Sequence, residues 1–173
     1  IITAAEQHDL KVHLMAPTGR AAKRLAVASH MDADTIHKAL EAEKREDGGT
    51  VFSRDESDPL EEDLIIVDEA SMMDISLFYH LLSALKEDAR LILVGDVDQL
   101  PPVGPGTPLK SIIAWEKGPV TRLKHIFRQK EGSGIIENAA LIREGNMCVP
   151  DEGVEFKILP VWSEEEAFDT VIS

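Results

Sequence analysis

The sequence predicts an α/β fold: a three-layer sandwich with a mainly parallel sheet covered by helices on both faces. Two short, continuous apolar runs carry that expectation, Leu64-Ile65-Ile66-Val67 and Leu91-Ile92-Leu93-Val94. Uninterrupted apolar runs of this length suit strands buried on both faces. Between them, Ser76 to Leu85 has a helix-like pattern. Strand, helix, strand at this spacing is a βαβ unit, which favours parallel pairing and right-handed crossovers.

The remaining elements follow along the chain. Ile1 to Gln7 is helix-friendly but has no cap or turn before it. Lys11 to Met15 reads as a short strand ended by Ala16-Pro17-Thr18-Gly19, with Thr18 the N-cap of a helix over the following residues. A second short helix follows Asp34, and the polar stretch Glu46 to Glu62 reads as an exposed hairpin or loop. After a Pro/Gly-rich loop from Leu100 to Pro108, helices are expected near Leu109 to Trp115 and from Ser133 to about Glu144. A strand over Glu155 to Leu159 and a helix opened by Ser163-Glu164-Glu165-Glu166, a capping-box pattern, complete the chain.

Composition narrows the class. The 173 residues suffice for one domain with a real core. No apolar run approaches the roughly 20 residues of a membrane span, and no signal peptide is visible. Cys148 is the one cysteine, which excludes an internal disulfide and a Cys-rich zinc site and fits a reducing compartment, so the cytoplasm is expected. The net charge of −14 opposes indiscriminate nucleic-acid binding, because phosphate contacts need Lys or Arg. Any such site must be local. The acidity itself reads as a solvated, solubilising surface.

Ligands of open α/β sheets bind at the carboxyl ends of the parallel strands. Three polar clusters fall there: Pro17-Thr18-Gly19-Arg20, Asp68-Glu69, and Gly95-Asp96 with Gln99. An apolar strand ending in Asp-Glu can hold Mg²⁺ through the first carboxylate and polarise an attacking water with the second. Singly, each feature has an ordinary alternative. Acidic pairs at strand ends are common, loop glutamines such as Gln99 are usually surface amides, and Arg128 alone suits a surface ion pair. Pro101-Pro102 and Gly104-Pro105-Gly106 alone would be a rigid turn.

Together, the segments resemble the motifs of RecD-type superfamily I DNA helicases, the exodeoxyribonuclease V alpha subunit family. Ala16-Pro17-Thr18-Gly19-Arg20-Ala21-Ala22-Lys23-Arg24-Leu25 resembles motif Ia, and Thr35-Ile36-His37 the DNA-contacting motif after it. Ile66-Val67-Asp68-Glu69-Ala70-Ser71-Met72 is similar to the Walker B motif. Leu93 to Gly106, containing Gly95-Asp96-Val97-Asp98-Gln99-Leu100-Pro101-Pro102, is similar to motif III, and Phe127-Arg128-Gln129 to motif IV. The five segments run in family order from Ala16 to Gln129, most of the chain.

The resemblance implies a RecA-like P-loop NTPase fold and an ATP-dependent DNA helicase, a 5′-to-3′ translocase on single-stranded DNA acting in recombination or repair. It implies ATP and Mg²⁺ as cofactors: Asp68 on the metal, Glu69 on the hydrolytic water, Gln99 and Arg128 toward the γ-phosphate. Pro17, Thr18, Arg20, Thr35 and His37 would contact single-stranded DNA. No Gly-Lys dipeptide, and so no Gly-x-x-x-x-Gly-Lys-Ser/Thr phosphate loop, occurs in the sequence. The expectation is therefore a partial first motor domain over residues 1–150, with a return strand and helix toward the second motor domain over 151–173. Such a chain is expected to be inactive alone, its sheet incomplete where the phosphate-loop strand is absent. Expected partners are the Walker A segment and second motor domain of a longer chain, single-stranded DNA and other recombination-nuclease subunits, with no membrane. The alternative is a non-catalytic DNA-binding or scaffold module.

Overall fold

The computed structural model describes residues 1–46, 48–123, 134–149 and 156–172. The chain divides into two compact units, Ile1–Val120 and Thr121–Ser173.

The first unit is built on a parallel sheet of order β2-β1-β5-β6. Its strands are β1 (Val12–Ala16), β2 (Ala33–Thr35), β5 (Leu64–Val67) and β6 (Arg90–Leu93). Met15 lies opposite Val67, and Val67 opposite Leu93, so the strand ends are level. The residues of β5 are all buried because both faces of the sheet are covered, which is why its sequence is an unbroken apolar run.

Period-two alternation distributes the strand side chains between two cores. Leu14, Leu64 and Ile66 pack with Ala5, Leu10 and Leu25 beneath helices α1 (Ile2–Glu6) and α2 (Gly19–Ser29). Met15, Ile65 and Val67 pack on the opposite face with Ile36, Leu40, Leu81 and Leu109. That layer comprises α3 (Ile36–Ala39), α4 (Ile75–Ser83) and α5 (Pro108–Trp115). The polar stretch contains an antiparallel hairpin of β3 (Ala42–Lys44) and β4 (Thr50–Phe52), whose Phe52 packs against this second core. Among the described residues, the four strands pair in succession without an internal gap. Among the described residues, β6 is paired along one side only.

In the second unit, α6 (Gly134–Arg143) is held by buried Asn138. Its Nδ2 donates to the carbonyls of Gly134 and Val149, and its Oδ1 accepts from the Val149 N–H. Helix α7 (Glu164–Ile172) opens as its capping pattern predicts, with Ser163 Oγ accepting from the Glu166 N–H at 3.1 Å. The Glu166 carboxylate reaches back to the N–H of Trp162 rather than Ser163. The strand expected over Glu155 to Leu159 does not form across its described part, Phe156 to Leu159. A strand needs a neighbour for its backbone groups, and this segment is paired with none among the described residues.

Candidate nucleotide and nucleic-acid site

Parallel pairing brings the carboxyl ends of all four strands to one edge. In sheet order, that edge carries Thr35 to His37 from the last residue of β2 onward, Pro17 to Arg20 after β1, Asp68-Glu69 after β5, and Gly95 to Gln99 just beyond β6. The predicted clusters therefore form two adjacent groups. The candidate DNA contacts follow β2 and β1, and the carboxylates and Gln99 follow β5 and β6.

Backbone hydrogen bonds lock the carboxylate side. The Asp68 N–H donates to the Met15 carbonyl at 2.9 Å, the Val94 N–H to Val67 at 2.8 Å, and the Ala70 N–H to Val94 at 2.8 Å. Glu69 then turns the chain at φ +53°, ψ +35°, a left-handed conformation unusual for glutamate, into a short 3₁₀ helix over Ala70–Met72. Both carboxylates are half-buried. Gly95 lies so close to this turn that a Cβ would stand 2.9 Å from the Ser71 nitrogen and 3.2 Å from that of Ala70. Gln99 is exposed after a turn in which the Asp98 N–H donates to Asp96 Oδ1 at 3.0 Å.

The Gly104-Pro105-Gly106 loop packs on the start of α4. The Pro105 carbonyl accepts from the Ile75 N–H at 2.9 Å, and a Cβ at Gly104 would collide with the Asp74 carboxylate. Its glycines thus serve close packing. That signal was present in the sequence only as glycine and proline content.

On the DNA-candidate side, Thr18 Oγ1 caps α2 by accepting from the Ala21 N–H at 3.3 Å. Thr35 Oγ1 caps α3 in the same way, accepting from the Lys38 N–H at 3.2 Å. Pro17, Thr18 and Thr35 are half-buried, whereas Arg20 and His37 are exposed. The His37 ring lies 5.7 Å from that of Phe52, which lies 4.4 Å from that of His80 on α4. Arg128 lies outside the described residues.

The donor set on this edge fits Mg²⁺ in part. Asp68 and Glu69 offer hard oxygen ligands, and Ser71 Oγ is buried without a hydrogen-bond partner beside them in sequence. No cluster of three or more His, Cys, Asp or Glu among the described residues could hold an ion by itself. Mg²⁺ at nucleotide sites uses one or two carboxylates and takes its other ligands from phosphates and water. A lysine-bearing phosphate loop, by contrast, is not among the 173 residues.

Sequence reasoning missed three features here. The left-handed Glu69 and the role of Gly95 depend on contacts between segments distant in sequence. The polar group around His13, whose Nε2 lies 3.5 Å from Asp34 and Nδ1 3.5 Å from Glu62, required β2 to be recognised as a strand. No helix of the described residues is long and apolar enough to cross a membrane.

Comparison with known proteins places these motifs in context. The AAA domain family matches residues 1–156. An ATP-dependent RecD2 DNA helicase from Deinococcus radiodurans is 41% identical over 135 residues, covering 78% of this chain and 18% of that protein. The RecBCD enzyme subunit RecD of Haemophilus influenzae is 33% identical over 172 residues, 86% of this chain and 25% of the relative. The chain thus spans a quarter or less of these relatives' length. A Pif1 helicase from Bacteroides, solved with ADP-AlF3 and ssDNA, superposes with a TM-score of 0.53 at 20% identity, over 79% of this chain and 37% of that one. That likeness establishes the RecA-like fold.

Proposed function

The chain belongs to the AAA domain family, and from that premise we propose that it is the part of an ATP-dependent, RecD-type DNA helicase that couples nucleotide hydrolysis to contact with single-stranded DNA. The observation that carries this reading is the order of groups along the sheet edge. The ends of β1 and β5 are neighbours, so Pro17 to Arg20 and Asp68-Glu69 adjoin across one strand pair. A change at one group can reach the other through rigid strands.

Each residue has a part in the proposed mechanism. Asp68 would hold Mg²⁺, which would supply positive charge to the phosphates, and Glu69 orients the attacking water and receives its proton. The bound nucleotide supplies the phosphoanhydride bond that is broken. Gln99, exposed beyond its Asp96 turn, contacts the γ-phosphate, and Arg128 offsets the charge that develops on it. Pro17, Thr18 and Arg20 hold the strand's phosphates beside the α2 N-terminus, with Thr35 and His37 further along the strand. The complete enzyme translocates 5′ to 3′ in recombination or repair. Its partners are the phosphate-loop and second motor segments of the longer polypeptide and, where it is assembled with a nuclease, the other subunits of that complex.

The test is single-stranded-DNA-stimulated phosphate release by the natural polypeptide that contains these residues. Glu69→Gln is expected to lower turnover by about 10² to 10⁴, the range for removing a general base, with DNA binding retained. Turnover unchanged by Glu69→Gln would remove Glu69 from the chemistry. DNA binding without any hydrolysis would instead identify a non-catalytic binding module.

A further inference from the structure

Two buried side-chain polar atoms among the described residues lack a hydrogen-bond partner, His13 Nδ1 and Ser71 Oγ. His13 Nδ1 still faces the Glu62 carboxylate at 3.5 Å. Ser71 Oγ has no partner of either kind. A hydroxyl removed from water and left unpaired weakens a fold, and such groups are rare enough in native proteins to need a physical reason. Packing supplies none, since alanine at this position would fill almost the same space without the unpaired oxygen.

The neighbours of Ser71 supply one. Ser71 is the middle residue of the 3₁₀ turn that opens at left-handed Glu69. Its nitrogen borders Gly95, where a Cβ would stand 2.9 Å away. From Gly95 the chain runs on to Gln99, exposed except at half-buried Val97. Gly95 forms no main-chain hydrogen bond with any described residue. An unpaired buried hydroxyl and an unpaired peptide group thus lie on two segments that touch, the turn carrying Glu69 and the loop carrying Gln99. Ser71 Oγ is closed to solvent as the turn stands, so its partner is a neighbouring protein group rather than a ligand arriving from outside.

We propose that Ser71 is a positioning residue for hydrolysis: its hydroxyl hydrogen-bonds to the main chain at Gly95 when Gln99 engages the γ-phosphate, coupling that contact to the Glu69 turn. The inference rests on the proposed function and deepens it by one residue. The loop between the two contacts is short and tied to itself. The Gln99 N–H donates to the Asp96 carbonyl at 3.3 Å and the Asp98 N–H to Asp96 Oδ1 at 3.0 Å. A displacement of Gln99 therefore reaches Gly95 with little slack. The bond made there fixes the 3₁₀ turn, and with it the Glu69 carboxylate, in the orientation the attacking water needs. An interaction made only in the working geometry raises turnover without tightening substrate binding.

The test is single-stranded-DNA-stimulated ATP hydrolysis by the natural polypeptide that contains these residues, with kcat and KM read separately. Ser71→Ala should lower kcat about 2- to 10-fold, the worth of one neutral hydrogen bond. Its KM for ATP and its affinity for a single-stranded oligonucleotide should be unchanged, the signature of an interaction made only in the transition state. Its urea midpoint should be unchanged or raised, because the variant deletes a buried hydroxyl that has no partner. Ser71→Thr keeps the hydroxyl and should recover most of the turnover. Should its extra methyl lower the midpoint, Ser71→Cys, unbranched and with a weak donor, should fall between serine and alanine. Ser71→Ala/Gln99→Ala should turn over no more slowly than Gln99→Ala alone, since both act through one contact.

An unchanged kcat in Ser71→Ala overturns this inference, and so does a lowered urea midpoint, which would make the hydroxyl part of the packing. A raised KM with kcat unchanged places Ser71 against the nucleotide, and a kcat loss that excess Mg²⁺ restores places it on the metal; either result overturns the inference. Losses that multiply in the double variant break the link to Gln99 and overturn it too. All of these leave the proposed function standing as long as Glu69→Gln still lowers turnover. A polypeptide that hydrolyses no ATP, or is indifferent to Glu69→Gln, overturns the proposed mechanism and this inference with it.

Discussion

Glu69 and Gly95 show how one turn serves both packing and chemistry. Glu69 accepts a left-handed backbone that most side chains disfavour, at a cost on the order of 1–3 kcal/mol. The Ala70 N–H to Val94 carbonyl bond helps hold it there. That bond needs β6 to pass close to the turn, and Gly95 permits the approach. Any Cβ at position 95 meets main-chain nitrogens of Ser71 and Ala70 as well as Leu109 Cδ2 at 2.8 Å. The leucine side chain can rotate aside, but the main chain can move only by dragging Glu69 with it. Gly95→Ala should therefore destabilise the fold by about 1–3 kcal/mol, the usual cost of overpacking, seen as a lower urea midpoint with an unchanged m-value. In the active polypeptide it should also lower ATP turnover, since the Glu69 carboxylate is displaced. Full stability and turnover in Gly95→Ala would show that the turn is not constrained as described.

At the scale of elements, legibility depended on whether local pattern or distant pairing decided the structure. The run at Leu64 to Val67 was readable because burial on both faces writes an unbroken apolar string, whereas the run at Leu91 to Val94, expected to be buried likewise, forms the half-buried edge strand β6 with Val94 exposed beyond it. Thr18 and Ser163 were readable as caps because capping is a matter of a few residues. β2 was not readable. It has only three residues, one of them Asp34, and is a strand because Leu14, Met15 and Ala16 lie opposite it. The expected strand near Leu159 failed for the converse reason: suitable residues lacked a partner. The site followed the same division. Its edge could be inferred from strand ends, whereas the Glu69 backbone and the roles of Gly104 and Gly106 came from contacts across loops.

Thr35 joins β2 to α3 and tests whether a candidate DNA contact is separable from a cap. Thr35→Ala removes the acceptor for the Lys38 N–H and should cost about 1 kcal/mol in denaturant titration. Thr35→Ser keeps the hydroxyl and should restore stability. If Thr35 also meets DNA through that hydroxyl, Thr35→Ser retains affinity for the oligonucleotide, whereas Thr35→Ala loses it beyond any effect of unfolding. Equal affinities would confine Thr35 to capping.

For the molecule as a whole, the two ends of the sheet do different work. The carboxyl edge gathers the candidate site, and the amino edge is bound together around Asp63. The Asp63 carboxylate accepts from the Lys11 N–H at 2.9 Å and from Lys86 Nζ at 2.6 Å, joining the starts of β1 and β5 to the segment after α4. Its main chain adds bonds to Lys11 and Arg90. The Lys86 ammonium, followed by the Lys11 N–H, holds the Asp63 carboxyl below the ordinary aspartate value of 3.8. The folded state thus favours the charged form. Its contribution is complete above the unfolded value and is lost as pH falls through the lower folded value. Acid also relieves repulsion in a chain of net charge −14, so the absolute stability of the unaltered protein mixes two opposing effects. Comparison with Asp63→Asn separates them, because asparagine keeps an oxygen for the Lys11 N–H but has no titratable charge. The stability gap between the two proteins should be widest at neutral pH and close on acidification below about pH 4. A gap independent of pH would mean that Asp63 contributes through shape and hydrogen bonding alone. Oligonucleotide binding above that range should be the same in both, since the substitution lies at the edge opposite the candidate site.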